Sequence, residues 1–177
     1  IAERILSGDT FENIPGLMIN IDSKTHFSPR EITTDIDTLP LYTYKGVNAN
    51  LLEWNRNPTL ERLAALDTTR GGCLKNCNYC LESSELGNLG RKKSIHKSPK
   101  RMVEQLQSFI AEGKTWITLE DQLFTHGEKI IIDFIEEMHR QNIKLGHFGI
   151  FLEPCCYSKE TYKVLEEIPA DEIVLSY

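Results

Sequence analysis

The chain has 177 residues, 40% hydrophobic and 26% charged, a balance that excludes a disordered or fibrous protein and suits one core with at most an appendage. A net charge of −6 argues against a protein dedicated to wrapping nucleic acid, and no apolar run reaches the length of a membrane span. Five cysteines, an odd number and tightly grouped, make a poor disulfide framework and point to a reducing, cytoplasmic setting.

Residues 1–60 read as a linker, or as the trailing edge of a preceding domain. IAERILSGD is a helix end with no signal-peptide character, and GLMINID (16–22) predicts a short strand. Loop-rich sequence with Pro29, Pro40 and Pro58 follows, in which DIDTLPLYTYKG (35–46) has too few periodic apolar positions for a regular element.

Residues 61–177 alternate strand and helix. RLAALDTT (62–69) predicts a strand that leads straight into Gly71, Gly72 and Cys73. The basic run RKKSIHKSPKR (91–101) reads as a solvated loop and helix start in preference to a phosphate-binding patch. In SPKRMVEQLQSFIAEG, Ser98 can cap and Pro99 suits the first turn, while Met102, Val103, Leu106, Phe109 and Ile110 form a stripe ending at Gly113. TWITLED (115–121) is the next strand, EKIIIDFIEEMHRQN (128–142) a helix burying Ile131, Phe134, Ile135 and Met138, and KLGHFGIFLEP (144–154) a third strand. Ser158 opens a helix to about Glu167, and EIVLSY (172–177) is a fourth strand. Strands separated by helices of this length imply right-handed βαβ units, hence an α/β fold that is an incomplete βα barrel or an open parallel sheet. The chain starts at Ile1 and stops within an apolar strand-like run, as an excised piece would.

GGCLKNCNYC sets Cys73, Cys77 and Cys80 within eight positions. On a helix they would share one buried stripe, but the two glycines and the asparagines at 76 and 78 disfavour a helix there, and a loop is expected after a strand. Clustered thiolates are soft ligands that suit zinc or an iron-sulfur cluster. A structural zinc site wants four closed ligands and would draw its fourth from Cys155, Cys156 or a distant histidine. A cubane with three local cysteines keeps one iron free of protein ligation.

This Cys-x3-Cys-x2-Cys loop, with its aromatic and its place after a first strand, resembles that of the radical S-adenosylmethionine (SAM) enzymes. The resemblance implies a partial (βα) barrel of that type, a [4Fe-4S] cluster on Cys73, Cys77 and Cys80, and SAM chelating the fourth iron. It further implies reductive cleavage of SAM to a 5′-deoxyadenosyl radical that attacks a small-molecule substrate, with electrons from a donor such as flavodoxin or ferredoxin. Tyr79 matches the aromatic beside the adenine, although a tyrosine there can equally pack under the loop. Where many relatives have Gly-Gly-Glu, this chain has TLEDQLF, so Glu120 and Asp121 become candidates to meet the SAM ammonium, the alternative being solvated turn carboxylates. Glu153 in FLEPCC is a further cofactor-binding candidate at a strand end.

IPGLMI, DIDTLPLYTY and GRKKSIHKSPKRMVEQL are similar to the stretches flanking the cluster in the branch that carries a cobalamin-binding domain. In that branch a Rossmann-like cobalamin domain precedes the barrel; its His-containing cobalamin loop has no counterpart in this sequence, so the resemblance makes cobalamin use a hypothesis for the full-length parent and argues against cobalamin binding by this chain alone. Cys155 and Cys156 read as packing residues, and His26, His96, His126, His139 and His147 are scattered without ligand spacing. The competing reading is a zinc-binding structural or interaction module without catalysis.

Overall fold

The computed structural model describes residues 6–8, 11, 14–28, 35–46, 62–70, 79, 94–119, 127–152 and 157–176. The chain divides into two compact units, residues 1–34 and 35–177.

In the first unit, strand β1 (Met18–Ile21) pairs antiparallel with β2 (Lys24–Phe27), Met18 facing Phe27 and Ile21 facing Lys24. Asp22 and Ser23 form the two-residue turn with φ of 49° and 65°, the left-handed pair whose twist matches that of the strands it joins. The second strand has no counterpart among the sequence expectations, because this turn lacks the glycine that usually marks one.

The second unit is built on four parallel strands, β3 (Leu63–Leu66), β6 (Trp116–Leu119), β7 (Leu145–Phe151) and β8 (Ala170–Ser176), in the spatial order β3-β6-β7-β8. Between them lie helices α1 (Pro99–Ala111), α2 (Glu128–Arg140) and α3 (Lys159–Glu166). Helix α1 begins where Ser98 Oγ accepts from Arg101 N at 3.2 Å, with Pro99 in the first turn, and stops at Gly113, whose φ of 79° suits a residue without Cβ. Ser158 caps α3 in the same way, accepting from Thr161 N at 3.2 Å.

Alternation along the strands sends Ala64, Leu66, Ile117, Leu119, Phe148 and Ile150 into one core with Met102, Leu106 and Phe109 of α1, Ile131, Phe134, Ile135 and Met138 of α2, and Leu165 of α3. The two predicted helical stripes are buried as expected, apart from Ile110, which is only half-buried. Each such side chain contributes about 1.5–3 kcal/mol on leaving water. All three helices thus share a core with the same face of a sheet whose order follows the chain without reversal. A doubly wound sheet reverses its order and uses both faces, so the described sheet is singly wound, consistent with a partial βα barrel.

The predicted first strand is split. Regular pairing ends at Leu66, after which β4 (Thr69–Arg70) pairs antiparallel with β5 (Ile95–His96) outside the main sheet. Lys97 N donates to Thr68 O at 2.7 Å and turns the chain out of the parallel ladder.

Residues 35–46 form a strap along the free edge of β3, irregular apart from a short 3-10 turn at Ile36–Thr38 that Asp35 caps. Tyr42 Oη donates to Ala65 O at 2.6 Å and accepts from Asp67 N at 3.1 Å, while Tyr44 Oη accepts from Ala65 N at 3.0 Å. Two phenols thereby occupy the places a neighbouring strand would take, one way of protecting a sheet edge. Buried Gln105 holds the strap in register, accepting from Tyr42 N at 3.1 Å and donating to Tyr42 O at 2.8 Å. Burial pushes the Tyr42 phenol far above its ordinary range, so it serves as a neutral donor and acceptor.

Candidate functional site

In a parallel βα fold the chemistry gathers at the C-terminal ends of the strands, here after Leu66, Leu119, Phe151 and Ser176. Cys73, Cys77, Cys80, Glu120, Asp121 and Glu153, like Cys155 and Cys156, lie outside the described residues. Tyr79 is described and is 92% exposed. No group of three or more His, Cys, Asp or Glu side chains able to hold a metal occurs among the described residues, and no described helix is long and apolar enough to cross a membrane.

What the structure does describe at this end are the polar groups from which the candidate segments spring. Asp67, just past β3, lies under Lys97, whose Nζ donates to Asp67 O at 3.0 Å and to Asp67 Oδ1 at 2.9 Å. Arg70 pairs with the other carboxylate oxygen and donates through Nη1 to Thr69 O at 3.0 Å. Lys97 Nζ also sits 5.4 Å from the centre of the Tyr42 ring. Thr69 Oγ1 lies 3.0 Å from His96 Nδ1 and 3.1 Å from Thr68 Oγ1, so the two buried threonines and the half-buried histidine belong to one chain of contacts.

Burial works against ionisation of Asp67, but hydrogen bonding and charge from Lys97, with help from Arg70, more than offset it and hold the carboxyl below the usual range. A carboxyl lowered in the folded state adds stability above its ordinary value of about pH 4 and loses it as pH falls through the lower folded value. The urea midpoint is therefore expected to drop as pH falls below about 4, and Asp67→Asn to flatten that drop while lowering the neutral-pH midpoint. An unchanged acid profile in the variant would remove Asp67 from the account.

A second tie spans the next two strand ends. Glu128, at the start of α2, accepts from Ser158 N at 3.0 Å and from the Thr161 hydroxyl at the start of α3. Hydrogen bonding from Ser158 and Thr161 keeps this carboxyl low. One carboxylate therefore fixes the N-termini of the two helices that follow residues 120–126 and 153–156.

His147 stands apart from this region. It stacks on Trp116 with ring centres 4.9 Å apart, and its Nδ1 lies 3.1 Å from Glu172 Oε2. Trp116, His147 and Glu172 are cross-strand neighbours near the N-terminal ends of β6, β7 and β8, the end of such a fold that carries stability and not chemistry. His139 is in the last turn of α2 and exposed.

Lys97 is not legible in the sequence, where it sits inside a basic run with the composition of a solvated loop. Its side chain is only 9% exposed, and Arg101 of the same run is tied to Glu104 and to Leu39 O. The signal available was position: a lysine just before a helix cap, where the chain must fold back against the strand that precedes the loop.

The fold class so defined is mixed α/β, with a four-stranded parallel sheet consistent with a partial βα barrel. No protein-family model matches the chain, and no curated protein matches it in sequence. Two solved structures of the radical S-adenosylmethionine methyltransferase TsrM from Kitasatospora setae share its fold. The form with cobalamin and a [4Fe-4S] cluster bound superposes with a TM-score of 0.66 over 98% of this chain at 17% identity. The form with tryptophan substrate and the SAM analogue aza-SAM gives 0.64 over 98% at 19% identity. The chain spans about a third of the length of those TsrM chains, 35% and 34%.

Proposed function

We propose that the chain is the first part of a radical SAM barrel of the cobalamin-associated branch, with Cys73, Cys77 and Cys80 as the ligands of a [4Fe-4S] cluster. The observation that carries this reading is the attachment of the three-cysteine segment, through β4, to the C-terminal end of the first strand of a singly wound parallel sheet. The donor set fits the group, since three thiolates are the soft ligands an iron-sulfur cube takes and their number leaves one corner for SAM. When bound, the cluster supplies the electron that cleaves SAM to methionine and a 5′-deoxyadenosyl radical.

The chain's own residues would bind and orient. The exposed Tyr79 ring suits stacking on the adenine. Glu120, Asp121 and Glu153, just past the ends of β6 and β7, are carboxylates for the SAM ammonium. Substrate contacts would come from parts of the parent outside this chain; cobalamin-dependent methyl transfer or rearrangement of a small molecule is the leading chemistry, tRNA methylthiolation the lesser. Flavodoxin or ferredoxin would supply electrons in a cytoplasmic setting.

Anaerobic reconstitution with iron and sulfide tests this. A brown protein holding about four irons per chain, with a paramagnetic resonance spectrum that shifts on adding SAM, is the expected result. One colourless zinc retained per chain and ligated by Cys155 or Cys156 would instead make the chain a structural module.

A further inference from the structure

We infer that the strap of residues 35–46 guards a latent docking edge. While it is seated, two copies of this chain stay apart; when it is released, the uncovered edge of β3 pairs with β3 of a second copy. The inference is independent of the proposed cluster site.

Arg62 O faces β6, where it accepts from Trp116 N at 2.9 Å. By alternation, Ala65 and Asp67 turn their backbone groups the other way, to the side on which β3 has no strand neighbour among the described residues. Side chains fill that place group by group. Ala65 N donates to Tyr44 Oη, Ala65 O accepts from Tyr42 Oη, Asp67 N donates to the same Tyr42 oxygen, and Asp67 O accepts from Lys97 Nζ. Sheet edges are commonly blunted by a charge, a proline or a bulge within the edge strand itself. Leu63–Leu66 reads Leu-Ala-Ala-Leu, with neither charge nor proline, so the strap supplies the protection that the strand's own sequence lacks.

The strap is in turn held by side chains. Arg101 binds Leu39 O, Gln105 binds Tyr42 N and O, and Glu112 accepts from Tyr44 N at 2.9 Å and from the Thr43 hydroxyl. At its start, Asp37 Oδ1 accepts from Ser98 N at 2.8 Å. Its ties to β3 run through two phenols and not through a strand ladder, so it leaves without breaking a rung of the parallel sheet. Its departure lifts Tyr42 and Tyr44 off Phe109 and frees Ala65 N, Ala65 O and Asp67 N together.

A second copy fits what is then exposed. An edge of alternating N–H and C=O groups complements itself when turned antiparallel about a two-fold axis. With Ala65 on that axis, the two Ala65 residues exchange both of their backbone hydrogen bonds and Asp67 N meets Leu63 O. No charge within Leu63–Leu66 opposes its own copy, and the two-fold arrangement closes at a pair.

The test releases the strap without touching β3. Gln105→Ala combined with Glu112→Ala removes the holds on Tyr42, Thr43 and Tyr44. The purified double variant is expected to sediment at about twice the wild-type mass at equal, high concentration. Amide hydrogen exchange at Ala65 and Asp67 in that variant is expected to be about tenfold slower in concentrated than in dilute protein. Adding Ala65→Pro, which removes an N–H from the open side of an edge strand where proline is tolerated, should return the mass to that of the wild type. A double variant of wild-type mass whose Ala65 and Asp67 amides exchange equally fast at both concentrations overturns the inference. Growth beyond a pair overturns it as well, and so does a doubled mass that Ala65→Pro leaves in place. Should urea unfolding show that the double variant does not fold, Glu112→Ala alone, which loosens only Thr43 and Tyr44, is put through the same measurements and decides the matter by the same outcomes.

Discussion

Serine at any one of Cys73, Cys77 or Cys80 is expected to reduce reconstituted iron from about four per chain to well under one, the largest change any single substitution should produce here. Serine keeps the volume but replaces a soft thiolate by a hydroxyl that stays protonated and binds iron poorly. With three protein ligands there is no spare, so two remaining thiolates cannot retain the cube. Cys155→Ser and Cys156→Ser are the controls, expected to load iron as the wild type does and to show the same spectral shift with SAM. A zinc module that takes its fourth ligand from that pair gives a different pattern, since one of the two control variants would then lose its metal as completely as the first three, and one that takes it from a distant histidine is told apart by its single colourless metal ion. Metal analysis of the five single variants separates the readings, with urea unfolding run alongside to confirm that each chain is folded.

The parts of the fold that sequence discloses are those fixed by neighbours in the chain. Helix α1 is announced by a cap, a proline, an apolar stripe and a glycine, all within residues 98–113, and each does in the structure what its chemistry suggests. Helix α3 is announced by Ser158, and the core faces of α1 and α2 by periodicity. What escapes is set by distant partners. The run 62–69 has the composition of one strand, yet its last residue, Thr69, pairs with His96 and the next, Arg70, with Ile95, contacts no local pattern encodes. The strap looks like plain loop because its order lies in two phenols bonded to β3 and in Gln105, 63 positions along the chain from its partner Tyr42. Lys97 has its charge partner 30 positions away and so reads as one more surface cation. For the site, the proposed cluster rests on a cysteine spacing read in the sequence itself, whereas the roles proposed for Glu120, Asp121 and Glu153 depend on which way each chain segment turns after the last ladder bond.

Phe109→Ala is expected to cost the sheet unit about 3–5 kcal/mol, measured as a fall in the urea unfolding midpoint. The side chain is fully buried, and the loss combines its transfer from water with a cavity that the packed neighbours can only partly close. Its position makes collapse difficult: the Tyr42 ring meets it edge-on with centres 5.2 Å apart and the Tyr44 ring lies at 5.7 Å, and both tyrosines are tethered by their hydroxyls to β3. If the rings move in to fill the void, the hydroxyls leave the backbone groups of Ala65 and Asp67, and polar groups at the edge of the first strand lose their partners at about 1–3 kcal/mol each. If they stay, the void remains. Either way the loss is a large fraction of the 5–15 kcal/mol that typically holds a domain together. Tyr44→Phe separates the two contributions, since it keeps the ring against Phe109 and removes only the acceptor for Ala65 N, for an expected loss of about 1–3 kcal/mol. A Phe109→Ala midpoint close to wild type would mean that the strap does not seal the core, and the strap's role in holding Asp67 would fall with it.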